Sequence, residues 1–531
     1  MKKMISLLSA MAITASSVSA VAACGGGNDN EIIVQMNKQW VDAYNPAITA
    51  INAKFESLGL DFRAKTKELD VFDNYDNIGK KGVRDKNTPD IFMLGYDRYQ
   101  GYKAQNNIKD LSSEIKSVLI KETAKQEKYG LTIENDKIQI TQSHLATSTW
   151  EGARIAQSGA DDYYGMVPAW IENLIWIFDK DKLGIEDGKL VGSYVEDYRT
   201  DLELGDDPVV SLENLAKINR KAEKTVGYFR TVDGYYAGNA LNGVLHANED
   251  KITPVTGSSK AIVYQKTGTH PSENKDDFSS IWEEASTVEA FNKAADTLVD
   301  IGFSYGSDMR EATYGKTSDD ALLQALTAKI KAGETVMSVL GPWDLQSYKT
   351  LMEENDRTPN LGIASISSMQ ITNTVADGKL SGFAGGYGYV VKSTISNKVN
   401  QTNDGDEITK TQAAMMVIDE LAKKDYATDL AKGDGKYSTY QDNIDKAYKD
   451  FSDTEGMELF AQAIEQISFS YNDGGVTARP NTSLFDIYWA AWADNYRLSM
   501  NPAWTLDHAK TEFRKLFNNK WDTDKAAYVW G

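Results

Sequence analysis

Apolar and polar positions along the chain switch repeatedly between two periods. The run Glu31 to Met36 reads as a buried strand. Tyr44, Ile48, Ile51, Phe55 and Leu58 then recur at helical spacing, and Leu60, Phe62 and Ala64 alternate as a second strand would. Leu69 to Arg84 predicts a helix, and Ile91 to Leu94, behind Pro89-Asp90, a third strand buried on both faces. This βαβαβ order predicts an open parallel sheet with helices on both faces. Further on, Ser211 caps a helix running through Lys221. Val288, Phe291, Ala295 and Leu298 mark another, and Leu322, Leu323, Leu326 and Ile330 line the apolar side of a helix from Asp319 to Lys331. A buried strand follows, up to Leu340. Ile408 to Lys424 is amphipathic; Met457, Phe460, Ile464 and Ile467 mark a helix, Leu484 to Leu498 another, and a last one spans about Leu506 to Leu516. Residues 111–158, 248–280 and, apart from the amphipathic Ile408 to Lys424, 397–450 carry no clear period and read as insertions or as ambiguous.

The first 23 residues are an address. Lys2 and Lys3 precede a short apolar stretch rich in Ser and Thr that ends in Val21-Ala22-Ala23-Cys24, the pattern of a secretory signal. Cys24 is the one cysteine, so neither an intramolecular disulfide nor a thiol metal site is open to the chain. Gly25 to Asn30 is a flexible tether. Nothing else in the sequence is apolar for long enough to span a bilayer. The formal net charge of −20 disfavours nucleic acid and favours solubility.

Candidate chemistry gathers where predicted strands end. The third strand delivers Tyr96, Asp97, Arg98 and Tyr99 together at its carboxyl end, where open α/β sheets place ligands. A carboxylate, a guanidinium fork and flat tyrosine faces suit a polyhydroxylated ligand; an ordinary surface Asp-Arg pair is the alternative. The loop after the first strand offers Lys38, Trp40 and Asp42. Pro168 fixes the backbone ahead of Trp170, which is large enough to wall a cleft or to fill a core. Gly341 and Pro342 break a strand and throw Trp343 out at its end. Trp489 and Trp492, three apart on a helix, read as core, or as one core and one cleft. The glycines at 385, 386 and 388 lack the spacing of a dinucleotide loop, and His144, His246, His270 and His508 make no catalytic or metal pattern, so no cofactor and no metal are expected.

Four stretches together resemble the extracellular solute-binding proteins of sugar ABC importers, the maltose-binding protein family: Pro89-Asp90-Ile91 with Asp97, Arg98, Tyr99, Gly101 and Tyr102; Pro168 to Leu183; Ala332 to Trp343 with its Gly-Pro-Trp; and Pro480-Asn481 ahead of Trp489. A cysteine directly after Val-Ala-Ala likewise resembles a bacterial lipobox, which implies lipidation of Cys24. The resemblance implies an α/β, two-lobed periplasmic-binding-protein-like (Venus flytrap) fold. Each lobe would be a mixed sheet flanked by helices, built from discontinuous segments. It implies a signal peptide at 1–23, a tether at 24–30, one lobe from 31–169 plus about 375–435, and a second from 170–374 plus about 436–531, with crossings near 165–172, 371–384 and 430–445. A carbohydrate, an oligosaccharide by expectation, would lie in the cleft between the lobes, held by Trp40, Asp42, Tyr96, Asp97, Arg98, Trp170, Glu172, Asp233, Tyr235, Trp343 and Trp489. Tyr96 would replace a tryptophan the family has at Leu94. Ala43 and Ala493 stand where relatives carry a lysine and an arginine, with Lys38 and Arg497 as substitutes.

The implied protein is no enzyme but a monomeric, lipid-anchored binding protein on the outer face of a bacterial cell membrane, delivering its ligand to permease subunits. Two other classes share its residue types. A secreted glycoside hydrolase needs two carboxylates about 5–10 Å apart across one bond. A surface adhesin on the same scaffold needs no small ligand.

Overall fold

The computed structural model describes residues 29–527 apart from 142–143, 156, 158–159, 252–260, 266–277, 356, 385, 473–475 and 479–483. Cys24, Pro480 and Asn481 lie outside the described residues. The chain divides into two compact units. Of the described residues, one holds those up to Ile171 together with those of 386–446, the other those of 172–384 together with those of 447–527. The expected borders at 169/170, 374/375 and 435/436 therefore move. Strand pairing sets the last two: Phe383–Ala384 pairs with Thr477–Ala478 in the second unit, whereas Tyr437–Ser438 pairs with Trp170 and Ile171 in the first.

The first unit is built on a six-stranded mixed sheet. Its strands lie in the order Arg63–Glu68, Glu31–Met36, Ile91–Gly95, Gly386–Val391, Met166–Ile171, Tyr437–Ser438. The first three are parallel, with Val34 opposite Ile91. Gly386–Val391 runs antiparallel between Ile91–Gly95 and Met166–Ile171. All five residues of Ile91–Gly95 are buried, as a central strand requires. The helices Lys38–Ser57, Val71–Lys81 and Tyr96–Ala104 follow the three parallel strands.

Two expected loops, 38–44 and 96–99, are helix instead. Each helix starts within two residues of its strand, so its polar first turn reads as a loop in sequence. The described residues of the unplaced 111–158 stretch fall mostly into helix and strand. It forms the helix Thr123–Tyr129, a hairpin of Leu131–Glu134 with Lys137–Ile140, and the helix His144–Ala153. The Tyr129 hydroxyl donates to Asp419 at 2.6 Å, and Lys125 reaches the same carboxylate at 2.9 Å. That carboxylate sits on the helix Lys410–Leu421.

The second unit has a four-stranded sheet in the order Gly227–Tyr228, Met337–Leu340, Ile175–Asp179, Leu361–Ser365. The first two strands are parallel, and Ile175–Asp179 is antiparallel to both of its neighbours. The last helix runs Leu506–Ala527, past the expected end at 516. It continues because Phe513, Phe517 and Trp521 keep the four-residue apolar stripe, all three fully buried. They pack with Trp282, Tyr488 and Trp492 in one aromatic core. Among the described residues no helix is long and apolar enough to cross a membrane.

Candidate functional site

Each unit gathers the sequence-predicted residues along one edge of its sheet. In the first unit that edge is the carboxyl end of the parallel strands, at Met36, Glu68 and Gly95. The antiparallel register brings Tyr387, Ile171 and Tyr437 to the same edge, because Tyr387 pairs with Gly95, and Ile171 with both Gly386 and Tyr437.

Three of the predicted aromatics there are core. Trp40 is 3% exposed, and its indole nitrogen donates to Asp434 at 2.7 Å. Trp170, 2% exposed, meets Trp40 edge-on at 4.4 Å. Tyr96 is fully buried, with its hydroxyl donating to the Thr149 carbonyl at 3.1 Å. Tyr96 thus offers no stacking face in place of the tryptophan missing at Leu94. The other predicted residues there are polar. Asp42 is exposed and Arg98 half-buried. The Arg98 guanidinium lies 4.9 Å over the Tyr75 ring. Asp97 turns back toward Gly95, where an added Cβ would come within 2.6 Å of its Oδ1. Lys38 is exposed. The Lys436 ammonium lies 5.9 Å from the Trp170 ring and 5.8 Å from that of Tyr387.

In the second unit the parallel strands both run out into candidate residues. Gly227–Tyr228 leads to Arg230 and Asp233, and Met337–Leu340 leads to Trp343 and Asp344. Glu172 comes to the same edge, since Leu340 pairs with Ile175. Asp233 caps the helix Gly234–Ala247, accepting from the Tyr235 amide at 2.9 Å. The Tyr235 hydroxyl donates to the Glu172 carbonyl at 3.0 Å. The Tyr235 ring stacks on Phe383 at 5.6 Å and stands 6.3 Å from Trp489. Tyr235 and Trp489 are half-buried, while Phe383 is buried beneath them. Trp489 can sit this close only because residue 234 is glycine: a Cβ there would lie 2.6 Å from its Cε3. Trp492 resolves to core, fully buried, with its indole nitrogen on the Thr231 carbonyl at 2.8 Å. Trp343 is half-buried on a single 3-10 turn, Pro342–Asp344. Its ring folds back over Gly341 rather than projecting straight off the strand.

An ion network underlies this edge. Asp319 takes Arg497 at 2.6 Å and Arg230 at 2.9 Å, and Asp233 stands 3.6 Å from Arg230. Burial pushes the Asp319 carboxyl up, but the bonds from Arg497 and Arg230 outweigh it and hold it below the usual carboxylate range. For Asp233 burial wins over the attraction of Arg230, and its carboxyl is raised. Burial alone would lower the Arg230 guanidinium, yet Asp233 and its other partners hold it above its usual value. Arg230 also lies 5.4 Å over the Tyr236 ring. Arg497, the expected substitute for a missing ligand contact, is thus committed to Asp319. Sequence reasoning missed Arg230, Asp319 and Phe383. Only Arg230 carried a signal, as a cation three residues ahead of the candidate Asp233.

The chain has the fold of extracellular solute-binding proteins. The maltose-binding periplasmic protein MalE from Listeria monocytogenes, solved in complex with maltose, superposes with a TM-score of 0.56 at 17% identity, over 94% of this chain and 100% of that one. MalX from Streptococcus pneumoniae, in complex with maltopentaose, gives 0.53 at 15% identity over 92% and 99%. An extracellular solute-binding protein from Staphylococcus aureus, in complex with maltose, gives 0.54 at 12% identity over 94% and 99%. No family model matches the sequence, and no curated protein does.

Proposed function

We propose that this chain is the substrate-binding protein of an ABC importer, which captures a carbohydrate, an oligosaccharide by preference, and delivers it to a membrane permease. The observation that carries this is the sheet edge of the second unit. Two half-buried aromatic faces, Tyr235 and Trp489, stand there on a buried Phe383, on the same edge as Trp343 and the carboxylates of Asp233 and Asp344. Flat apolar faces beside charged acceptors suit a sugar ring, whose faces are apolar and whose rim is hydroxyl. In support, neighbours of the same fold bind maltose and maltopentaose.

In this reading Trp343, Trp489 and Tyr235 stack on the ligand. Asp42, Asp97, Arg98, Glu172 and Asp233 take its hydroxyls through charge-assisted bonds, each worth about 1.5–3 kcal/mol net. Trp40, Tyr96 and Trp170 shape the surface from beneath. Lipidation of Cys24 would hold the protein at the outer face of the membrane. A panel of sugars screened by thermal melting tests the proposal, because a ligand that binds only the folded chain raises Tm. A shift with an oligosaccharide and no new reducing ends on incubation is expected. No shift with any sugar would favour an adhesin, and new reducing ends a hydrolase.

A further inference from the structure

The first unit carries an outward-facing aromatic ring that its core does not use. Phe72 is 62% exposed, the most exposed aromatic among the described residues. It lies in the first turn of the helix Val71–Lys81, whose buried stripe is Val71, Tyr75 and Ile78 and leaves Phe72 out. Its backbone is nonetheless held rigidly at the carboxyl edge of the sheet. The buried Gln35 amide donates to the Leu69 carbonyl at 2.7 Å and accepts from the Met93 amide at 3.0 Å. Asn37 Oδ1 accepts from Gln35 at 3.1 Å and from the Val71 amide at 3.0 Å. Asp70 caps the helix by accepting from the Phe72 amide at 2.8 Å. The loops after the first two parallel strands are thereby stitched to each other and to the third strand.

Tyr75 meets Phe72 edge-on at 6.0 Å. Tyr75 is itself pinned: its hydroxyl accepts from the Gly95 amide at 2.8 Å, and Arg98 lies over its ring. An exposed, preorganised flat face therefore stands one side chain away from Arg98, on the edge where open α/β sheets bind ligands.

We propose that Phe72 is an additional sugar subsite, stacking on a ring of the oligosaccharide beyond those that Asp97 and Arg98 hold, and so setting a preference for longer chains. This rests on the carbohydrate-binding reading above. Calorimetric titration of the protein with α-1,4- and β-1,4-linked glucose oligomers of two to seven units tests it. In the ladder that binds, wild-type affinity should rise with length. Phe72→Ala should match wild type on the disaccharide and weaken by about ten-fold on the longest oligomers, as a stacking anchor does. Phe72→Tyr, which keeps the ring, should restore the length dependence.

A loss equal at all lengths, no loss on the longest oligomer, or wild-type affinity independent of length would overturn the subsite while leaving carbohydrate binding intact. Wild type that binds neither ladder overturns both.

Discussion

The benzo ring of Trp343 lies over the α-carbon of Gly341, so closely that a methyl group at 341 would overlap it. The glycine has φ −83 and could accept alanine without backbone strain. The absence of a side chain there therefore serves the ring, and it gives two substitutions that probe one surface. Trp343→Ala should lose about 2–4 kcal/mol of binding, roughly 30- to 1,000-fold, while melting within a few degrees of wild type. Gly341→Ala should keep the tryptophan, displace it, and weaken binding in the same direction. Ligand-induced melting shifts and tryptophan fluorescence read both; unchanged affinity in either variant would show that this ring does not meet ligand.

Gly234 does the same for Trp489. Gly234 opens its helix without a left-handed backbone, so Gly234→Ala should strain the backbone little while pushing Trp489 off its seat. The expected outcome is weaker ligand binding with a Tm within a few degrees of wild type. A variant that binds as wild type does would remove Trp489 from the site.

Trp170 should behave in the opposite way to Trp343. It is buried against Trp40 and beneath Lys436, so Trp170→Ala should cost about 3–5 kcal/mol of stability, as core aromatics do. Denaturant titration measures this. A fully stable Trp170→Ala would return the residue to the ligand-facing surface.

Asp319 predicts an acid limb in stability. Its folded pKa is depressed, so its contribution is complete above the unfolded value of about 3.9 and is lost as pH falls through the folded pKa. Asp319→Asn leaves Arg230 and Arg497 without their shared carboxylate and should cost about 3–5 kcal/mol at neutral pH. The gap in Tm between variant and wild type should then narrow as pH is taken below about 4. A gap that is constant from pH 7 to pH 3 would show that the network contributes no linked proton.

The sequence around Cys24 carries its own test. Cys24→Ser should release the protein from membranes or leave the precursor uncleaved. Mass spectrometry of mature protein with an unmodified Cys24 would exclude the lipid anchor.

The alternation of strand and helix was legible because burial imposes its period on each element: Ile91 to Leu94 and the Leu322–Ile330 stripe read as they fold. The helix starts at Lys38 and Tyr96 were not legible, because a polar first turn at a strand's carboxyl end has the composition of a loop. Nor was the burial of Trp40, Tyr96 and Trp170. Their covers are Asp434, Thr149 and Tyr389, up to 394 residues away in the chain for Trp40, and nothing local separates a core aromatic from an exposed one at a strand end. Phe72 could have been found. Val71, Tyr75 and Ile78 define a stripe, and a phenylalanine off that stripe is an anomaly visible in the sequence alone.

The strand Gly386–Val391 sits between Ile91–Gly95 and Met166–Ile171 in the sheet of the first unit, yet it is made more than two hundred residues after either. A growing chain that has emerged as far as Ile171 thus holds two unmated strand edges, and it can close that sheet only after most of the second unit has been synthesised. High sequence separation of this kind slows folding and prolongs the life of the open form. For a polypeptide exported by a signal such as the one expected at 1–23, such delay would be useful: the chain would stay threadable until its carboxyl half has left the ribosome.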